Sequence, residues 1–309
     1  MTSTTGLRHG RIAGLTMASE LALPDVHAWD GLDEPAQLQL RLAPVPARLD
    51  DAWLRGATWE VCDDRVLLNL PGICRLLVGN DGVLALDATD PADALPLVLG
   101  PAVAIALLQR KRLVLRASAV AHRGRAYLFC GPGGMGKSTL AAALCMAGAE
   151  FICDDLCAIT LDDAGRPVLW ADGRHLELLE DAIAHLGLAP RRRNAVRAGT
   201  AKFHVEPTGL ALAGPLPIAA IHMLRDARGG RSPGTALETL PPVAAAQSLQ
   251  LHGYHPRLAL ALKPSEQTLR TTAALVRSAR IGGLTLRRDL SALAATAADL
   301  LKGWSRRDV

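Results

Sequence analysis

Apolar and polar positions follow different rhythms in the front and back of this chain. Near the front the period is two: Leu38-Gln39-Leu40-Arg41-Leu42 alternates, and short apolar runs follow over Arg65 to Leu70, Cys74 to Val78 and Val83 to Leu86. Asp63-Asp64, Pro71-Gly72 and Asn80-Asp81-Gly82 stand between them as turn formers, so the pattern predicts strands joined by hairpins. Residues 19–93 therefore read as a small β-rich N-terminal module. Residues 1–18 have no clear apolar period and are rich in Thr, Gly and Arg, the composition expected of a mobile tail.

From residue 94 the pattern changes. The uncharged, largely apolar run Ala94 to Leu108 predicts a helix capped at Asp90 or Asp93, kinked or broken at Gly100-Pro101 and closed by Arg110, Lys111 and Arg112. Its 15 residues fall short of the roughly 18 needed to cross a bilayer. Leu113 to Ala121 and Ala126 to Cys130 then read as a hairpin or adjacent strands. They lead into an alternation of strand, glycine-rich loop, helix (Lys137 to Met146) and strand (Phe151 to Cys153), which implies an α/β layer with a mostly parallel sheet. Further on, the pattern predicts strands near Val168 to Trp170, Ile218 to Leu224 and Leu284 to Leu286, and helices over Leu178 to Leu186 and Leu290 to Leu301. Arg191 to Lys202 reads as a basic loop and Asp226 to Gly234 as a mobile, turn-rich segment. Residues 94–309 are thus expected to form one α/β domain, without internal repeats.

Composition narrows the function classes. Half of the 309 residues are hydrophobic but only 3% are aromatic, which leaves few stacking platforms and argues against nucleic acid as a partner. The six cysteines sit mostly in apolar stretches without a C-x-x-C pair, as expected of buried reduced thiols. No secretory signal is evident and no membrane association is expected, so the chain reads as cytoplasmic. The net charge of +4 is uneven: residues 1–110 hold 8 basic and 14 acidic residues, residues 111–309 hold 26 and 16. The excess in the back part suits an anionic ligand, whether nucleotide, nucleic acid or acidic protein.

One motif decides among these. Gly131-Pro132-Gly133-Gly134-Met135-Gly136-Lys137-Ser138 satisfies G-x-x-x-x-G-K-[ST] between an apolar strand and an apolar helix. In a chain of this composition it is expected about 0.004 times by chance. The glycines let backbone N–H groups turn inward around a phosphate, and the helix adds its positive end. Lys137 is placed to bridge phosphate oxygens, and the Ser138 hydroxyl to coordinate Mg²⁺. Nucleotide binding follows.

Asp154 and Asp155 end the next apolar strand, 17 positions after Lys137. If the two strands are neighbours, both carboxylates project beside the phosphate loop at the sheet's C-terminal edge. One suits the metal and the other suits the proton of an attacking hydroxyl.

A hairpin (Leu113 to Cys130), a phosphate loop (Gly131 to Thr139) and an apolar-Asp-Asp motif (Ile152-Cys153-Asp154-Asp155) together resemble the bacterial HPr kinase/phosphorylases over roughly residues 95 to 210. Leu67-Leu68-Asn69-Leu70-Pro71-Gly72, Leu113 and Ala117-Ser118-Ala119-Val120 are more similar to HPr-kinase-related proteins of gene clusters for ribosomally made peptides. Those relatives resemble kinases that phosphorylate a serine of a lasso-peptide precursor.

The resemblance implies a P-loop core like the HPr kinase C-terminal domain, ATP or another NTP with Mg²⁺ as cofactors, and a Ser hydroxyl of a precursor peptide as acceptor. It implies Asp155 as the base, Asp154 sharing the metal with Ser138, and Glu177 as a further carboxylate near it. Arg116 stands where the family has a His. It can contact a transferring phosphoryl group but not shuttle a proton near neutral pH, which puts a reverse phosphorylase activity in doubt. Arg191, Arg192, Arg193, Arg197 and Lys202 form a basic stretch suited to phosphates, to the acceptor or simply to solvent. The competing readings are a small-molecule kinase and a non-catalytic nucleotide-sensing module. A homo-oligomer is compatible with either.

Overall fold

The computed structural model describes residues 7–24, 26–29, 35–172, 174–197, 199–211, 214–227, 238–262, 265–287 and 289–306. The fold is mixed α/β, built on two large sheets and one small one.

The front sheet has nine strands, and the predicted alternation produces it. Leu38–Leu42, Arg65–Leu70, Cys74–Gly79 and Val83–Ala88 all lie in it. The strand pair around Asn80-Asp81-Gly82 is antiparallel, as its turn residues predict. Residues expected in a tail are instead part of this sheet: Arg8–Ile12 pairs antiparallel with Leu15–Ser19, and Ile12, Leu15 and Met17 are fully buried. Five-residue strands are too short for a period to stand out, but their apolar side chains fill the sheet's core. Residues 1–6 of that expected tail lie outside the described residues.

The apolar run after it forms one continuous helical rod, Pro91–Leu97, Val98–Ala102 and Val103–Gln109. Asp90 caps it, its carboxylate accepting from the N–H groups of Ala92 and Asp93. The expected kink at Gly100-Pro101 is taken up by a π turn, the looser winding that accommodates a proline without ending a helix. At 19 residues the rod is long and apolar enough to span a bilayer by composition, unlike the shorter run counted from the sequence. Here 61% of its apolar window is buried inside the protein. Ala94, Val98, Ala102 and Ile105 share a core with Leu38, Leu40, Leu76 and Leu84 of the front sheet and with Val114, Leu156, Ala158 and Tyr254 of the back part, so the helix is the floor of the front sheet and also touches the back part.

The two parts are closely fitted. Gly14 takes φ +74°, and a side chain there would collide with the Trp170 ring of the back sheet. Of the cations expected to close the helix, Arg110 does so, its Nη1 donating to the Ala106 carbonyl at 3.1 Å, while its Nη2 reaches the Gln37 carbonyl at 2.7 Å and Arg112 Nη1 that of Ala13 at 3.1 Å.

The back sheet departs from the mostly parallel expectation. Arg125–Cys130 is parallel to Leu216–Asp226, which is parallel to Arg280–Leu286, but the other pairings are antiparallel. The tight Arg123-Gly124 turn, at positive φ, folds Arg125–Cys130 back beside Ala117–His122, and Glu150–Cys153 pairs with the other edge of Ala117–His122. The strands ahead of the glycine loop and of Asp154 are therefore not neighbours. They run in the same direction with one antiparallel strand between them.

Both faces of this sheet are covered. Tyr127 and Phe129 pack under the helices Lys137–Met146 and Leu293–Ser305, with Trp304 stacked on Tyr127 at 3.7 Å. Ala126, Leu128 and Cys130 face Pro242–Leu251 and Glu266–Ser278. These last two helices are additions to the elements that the sequence pattern predicts.

Smaller differences have local causes. Leu178 to Leu186 begins as the strand Leu176–Leu179, burying Leu176 and Leu178 with a period of two, before the helix Glu180–His185. The basic loop contains the strand Arg192–Ala195, and Lys202 opens the strand Lys202–Val205. Leu290 to Leu301 starts with a 3₁₀ turn, and its α-helix runs Leu293–Ser305. Most of the segment Asp226 to Gly234 lies outside the described residues. All six cysteines are free and buried.

Candidate functional site

Strand direction brings the predicted residues together. Arg125–Cys130 and Glu150–Cys153 both run antiparallel to Ala117–His122, so Gly131, Asp154 and Arg116 emerge at one edge of the sheet: Ala117 pairs with Cys130, and Ala119 with Cys153. In open sheets with parallel strands, the edge beyond the strands' carboxyl ends is where ligands bind.

The glycine loop makes the turn into the helix Lys137–Met146. Gly131, Gly134 and Gly136 have φ of +155°, +74° and +81°, backbone that side-chain-bearing residues rarely adopt. A Cβ on Gly133 or Gly136 would meet nothing within 4 Å, so open space lies beside the loop. Lys137 folds back over it, Nζ donating to the carbonyls of Gly131 at 3.0 Å and Pro132 at 3.1 Å. Burial lowers the pKa of Lys137, because its ammonium is stripped of water; the nearby Asp154 carboxylate only partly offsets this.

Asp154 is the centre of the site and is 6% exposed. Its Oδ1 accepts from the hydroxyls of Ser138, at 3.0 Å, and Ser118, at 2.5 Å; its Oδ2 accepts from the backbone N–H of Glu177 at 3.0 Å. Burial raises its pKa, and the charge of Glu177 raises it further, while the hydrogen bonds from Ser118 and Glu177 act against both.

Asp155 points elsewhere because its backbone is left-handed, φ +70°, a conformation aspartate tolerates better than most residues. It is partly exposed. Arg116 Nε donates to its Oδ1 at 2.7 Å, and the Tyr254 hydroxyl lies 3.4 Å from its Oδ2. Arg116 is free to do this because it falls between two strands, Leu113–Leu115 and Ala117–His122, where its own N–H bonds the His252 carbonyl. The Asp155 charge raises the Arg116 pKa. Burial raises that of Tyr254, with Asp155 adding to the effect.

Glu177 comes close to Asp154 through its backbone. Its carboxylate is held by Lys202 Nζ at 2.6 Å. Of the basic stretch, Arg192 pairs with Glu180 and Arg193 with Glu206, while Arg191 donates to the Pro207 carbonyl. Arg197 lines a cavity that Asp154 and Glu177 also line.

Several participants had gone unassigned in the sequence. Ser118, fully buried, was only one letter in an apolar strand, although a lone hydroxyl in such a run is the available signal. Tyr254 lies 99 positions from Asp155, with no local pattern to announce it. The buried pair Asp172–Arg174 was equally silent; Arg174 Nη2 donates to Asp172 Oδ2 at 2.9 Å.

The oxygen donors fit Mg²⁺. Among the described residues no three His, Cys, Asp or Glu side chains are grouped to hold a metal. Ser138 and Asp154 offer one hydroxyl and one carboxylate, which suits an ion that takes the rest of its shell from water and phosphate.

No protein-family model matches the chain, and no curated protein matches it. Among solved structures, the HPr(Ser) kinase/phosphatase from Coxiella burnetii is similar to it with a TM-score of 0.34 and 11% sequence identity, over 63% of this chain and 97% of that one.

Proposed function

We propose that the protein is a phosphotransferase that moves the γ-phosphoryl group of ATP, or of another NTP, to a serine hydroxyl of a peptide. The observation that carries this reading is geometric: a glycine loop with positive φ at Gly131, Gly134 and Gly136 runs into Lys137, folded over the loop, and Ser138, whose hydroxyl donates to the buried Asp154 carboxylate at 3.0 Å. Burial penalises the charges of both Lys137 and Asp154. Phosphate oxygens on Lys137 and a divalent cation on Asp154 would relieve both penalties.

Residues Gly131 to Thr139 would hold the phosphates, with inward backbone N–H groups and the helix N-terminus. Ser138 and Asp154 would hold Mg²⁺, which when bound neutralises charge on the β- and γ-oxygens. Ser118 and the Glu177 N–H keep Asp154 oriented for that task. Asp155 receives the acceptor proton. The serine oxygen bonds to the γ-phosphorus, the bond from that phosphorus to the β–γ bridging oxygen breaks, and its electron pair leaves with the nucleoside diphosphate. Arg116 holds Oδ1 of Asp155 at 2.7 Å, and the longer 3.4 Å contact of Oδ2 with the Tyr254 hydroxyl leaves that oxygen the one to take the proton.

The sequence resemblance to kinases of ribosomally made peptides supports a precursor peptide as the acceptor, with the lasso-peptide type as the specific case. The test is incubation of the purified protein with Mg²⁺, ATP and a serine-bearing precursor peptide. The expected product is a phosphoserine peptide and ADP in equal amounts. Binding of ATP without transfer to any peptide would overturn the reading in favour of a nucleotide sensor.

A further inference from the structure

Two side chains from different segments hold the carboxylate of Asp155. Arg116 Nε donates to Oδ1 at 2.7 Å. The Tyr254 hydroxyl donates to Oδ2 at 3.4 Å, a long bond of the kind that tightens when a site fills. We infer that Tyr254 is a positioning residue for the transfer: with Arg116 it fixes the plane of the Asp155 carboxylate, and the helix 91–109 of the front part holds it in place. This rests on the phosphotransferase reading given above.

A hydrogen bond to Oδ1 alone leaves a carboxylate free to turn about its last side-chain bond, a torsion with broad minima. A second bond, to Oδ2, removes that freedom, and a base held within a fraction of an ångström is what transfer geometry demands. The two partners differ in chemistry. A guanidinium only donates, whereas a hydroxyl donates and accepts. Tyr254 can therefore donate to Oδ2 before transfer and, with its O–H turned, accept from Oδ2 once the serine proton has moved there. Its own proton stays on the phenol: burial and the Asp155 charge raise the Tyr254 pKa, and the charges of Arg174 and Arg116 offset this only in part.

The surroundings hold Tyr254 firmly. The Arg116 N–H donates to the His252 carbonyl at 2.9 Å, Leu115 and Gly253 form an antiparallel bridge, and the Tyr254 N–H donates to the Val114 carbonyl at 2.9 Å. Both partners of Asp155 thus lie on two stretches of backbone paired with each other. The Tyr254 side chain is buried and shares a core with Leu95, Val98 and Leu99 of the front helix. Its hydroxyl end lies against the π turn Val98–Ala102, where a Cβ on Gly100 would come within 3.4 Å of the phenol oxygen. Such turns recur at functional sites. The front part thereby gains a task, since its helix backs the side chain that steadies the base.

Tyr254→Phe keeps the ring and removes only the hydroxyl. Single-turnover transfer from ATP to a serine-bearing peptide is measured for the wild type, Tyr254→Phe, Asp155→Asn and the double variant. Tyr254→Phe should lose about tenfold in rate, the scale of one hydrogen bond to a charged group, while nucleotide affinity and a cooperative melting transition are retained. In the Asp155→Asn background the same substitution should change the rate by less than about twofold, because its effect runs through that carboxylate. Equal losses in both backgrounds, or none in either, would overturn the inference and leave the phosphotransferase reading standing.

The contact itself is read without activity. Tyr127 and Tyr254 are the two tyrosines of the chain, so 3-fluorotyrosine labelling gives two fluorine resonances, and the one lost in Tyr254→Phe belongs to Tyr254. That resonance should shift in Asp155→Asn while the Tyr127 resonance stays. An unmoved Tyr254 resonance would overturn the inference whether or not transfer occurs. A shifted resonance in a protein that transfers to no peptide would remove the phosphotransferase reading and, with it, the positioning role.

Discussion

The Ser138 hydroxyl lies 3.0 Å from Oδ1 of Asp154, joining the first turn of the helix after the glycine loop to the end of a strand two positions away in the sheet. Ser138 and Asp154 thus present their oxygens to one point although 16 residues separate them. If that point is the cation site, Asp154→Asn and Ser138→Ala should each remove the dependence of nucleotide affinity on Mg²⁺. Titration of a fluorescent ATP analogue with and without Mg²⁺ checks this, and an unchanged Mg²⁺ effect in Asp154→Asn would take Asp154 out of the role.

Asp155→Asn should lower kcat by about 10²- to 10⁴-fold, the usual worth of a positioned general base. Nucleotide affinity should barely change, since Asp155 makes no hydrogen bond to the glycine loop among the described contacts. Single-turnover transfer measured beside nucleotide binding separates the two effects.

Arg116 acts through Asp155, as a positioning residue. Its side chain is 64% exposed, and an ion pair in that setting contributes at most about 1 kcal/mol to stability. Arg116→Ala should therefore leave the unfolding midpoint nearly unchanged while lowering kcat. Arg116→Lys should rescue poorly, because an ammonium cannot reproduce the Nε contact of a planar guanidinium. Parallel melting curves and rates at saturating ATP provide the comparison.

Lys137 predicts a proton effect of definite sign. Burial lowers its pKa in the free protein, and phosphate oxygens would raise it again on binding. Between those two values the bound state holds more proton than the free state, so nucleotide binding should take up protons in the alkaline range below lysine's ordinary pKa of about 10.4. Affinity should decline as the pH rises through the lowered value. Calorimetry in buffers of different ionisation enthalpy measures the uptake, which should disappear in Lys137→Met.

The helix 91–109 is a core element, and Ile105 is fully buried against the front sheet. Ile105→Ala should cost about 2–5 kcal/mol by urea denaturation, the range for truncating a buried aliphatic side chain. A change near zero would mean that this face of the helix is not packed as described.

The parts of the site that were legible in the sequence are those whose chemistry is local. A glycine loop is specified by its own backbone: positive φ at Gly131, Gly134 and Gly136, followed at once by Lys137, Ser138 and a helix, needs no distant partner. The front strands were legible for the same reason, since a period of two and an Asn-Asp-Gly turn act over a few residues. The adjacent carboxylates Asp154 and Asp155 could be named from their position after an apolar strand, but not their different orientations, which depend on a left-handed backbone at Asp155.

The rest was decided by pairing across the chain. Only the sheet's register sets the strand 117–122 between the strands of the loop and of Asp154, and only there does Ser118 come within reach of a carboxylate 36 residues away. Only packing brings Tyr254 to Asp155, turns Glu177 from a free carboxylate into a partner of Lys202, and converts an apolar run into the floor of a sheet. Backbone conformational preference is a property of neighbouring residues, and sequence records it directly. Contacts between segments depend on which apolar faces bury each other, and that choice is made by the folded chain as a whole.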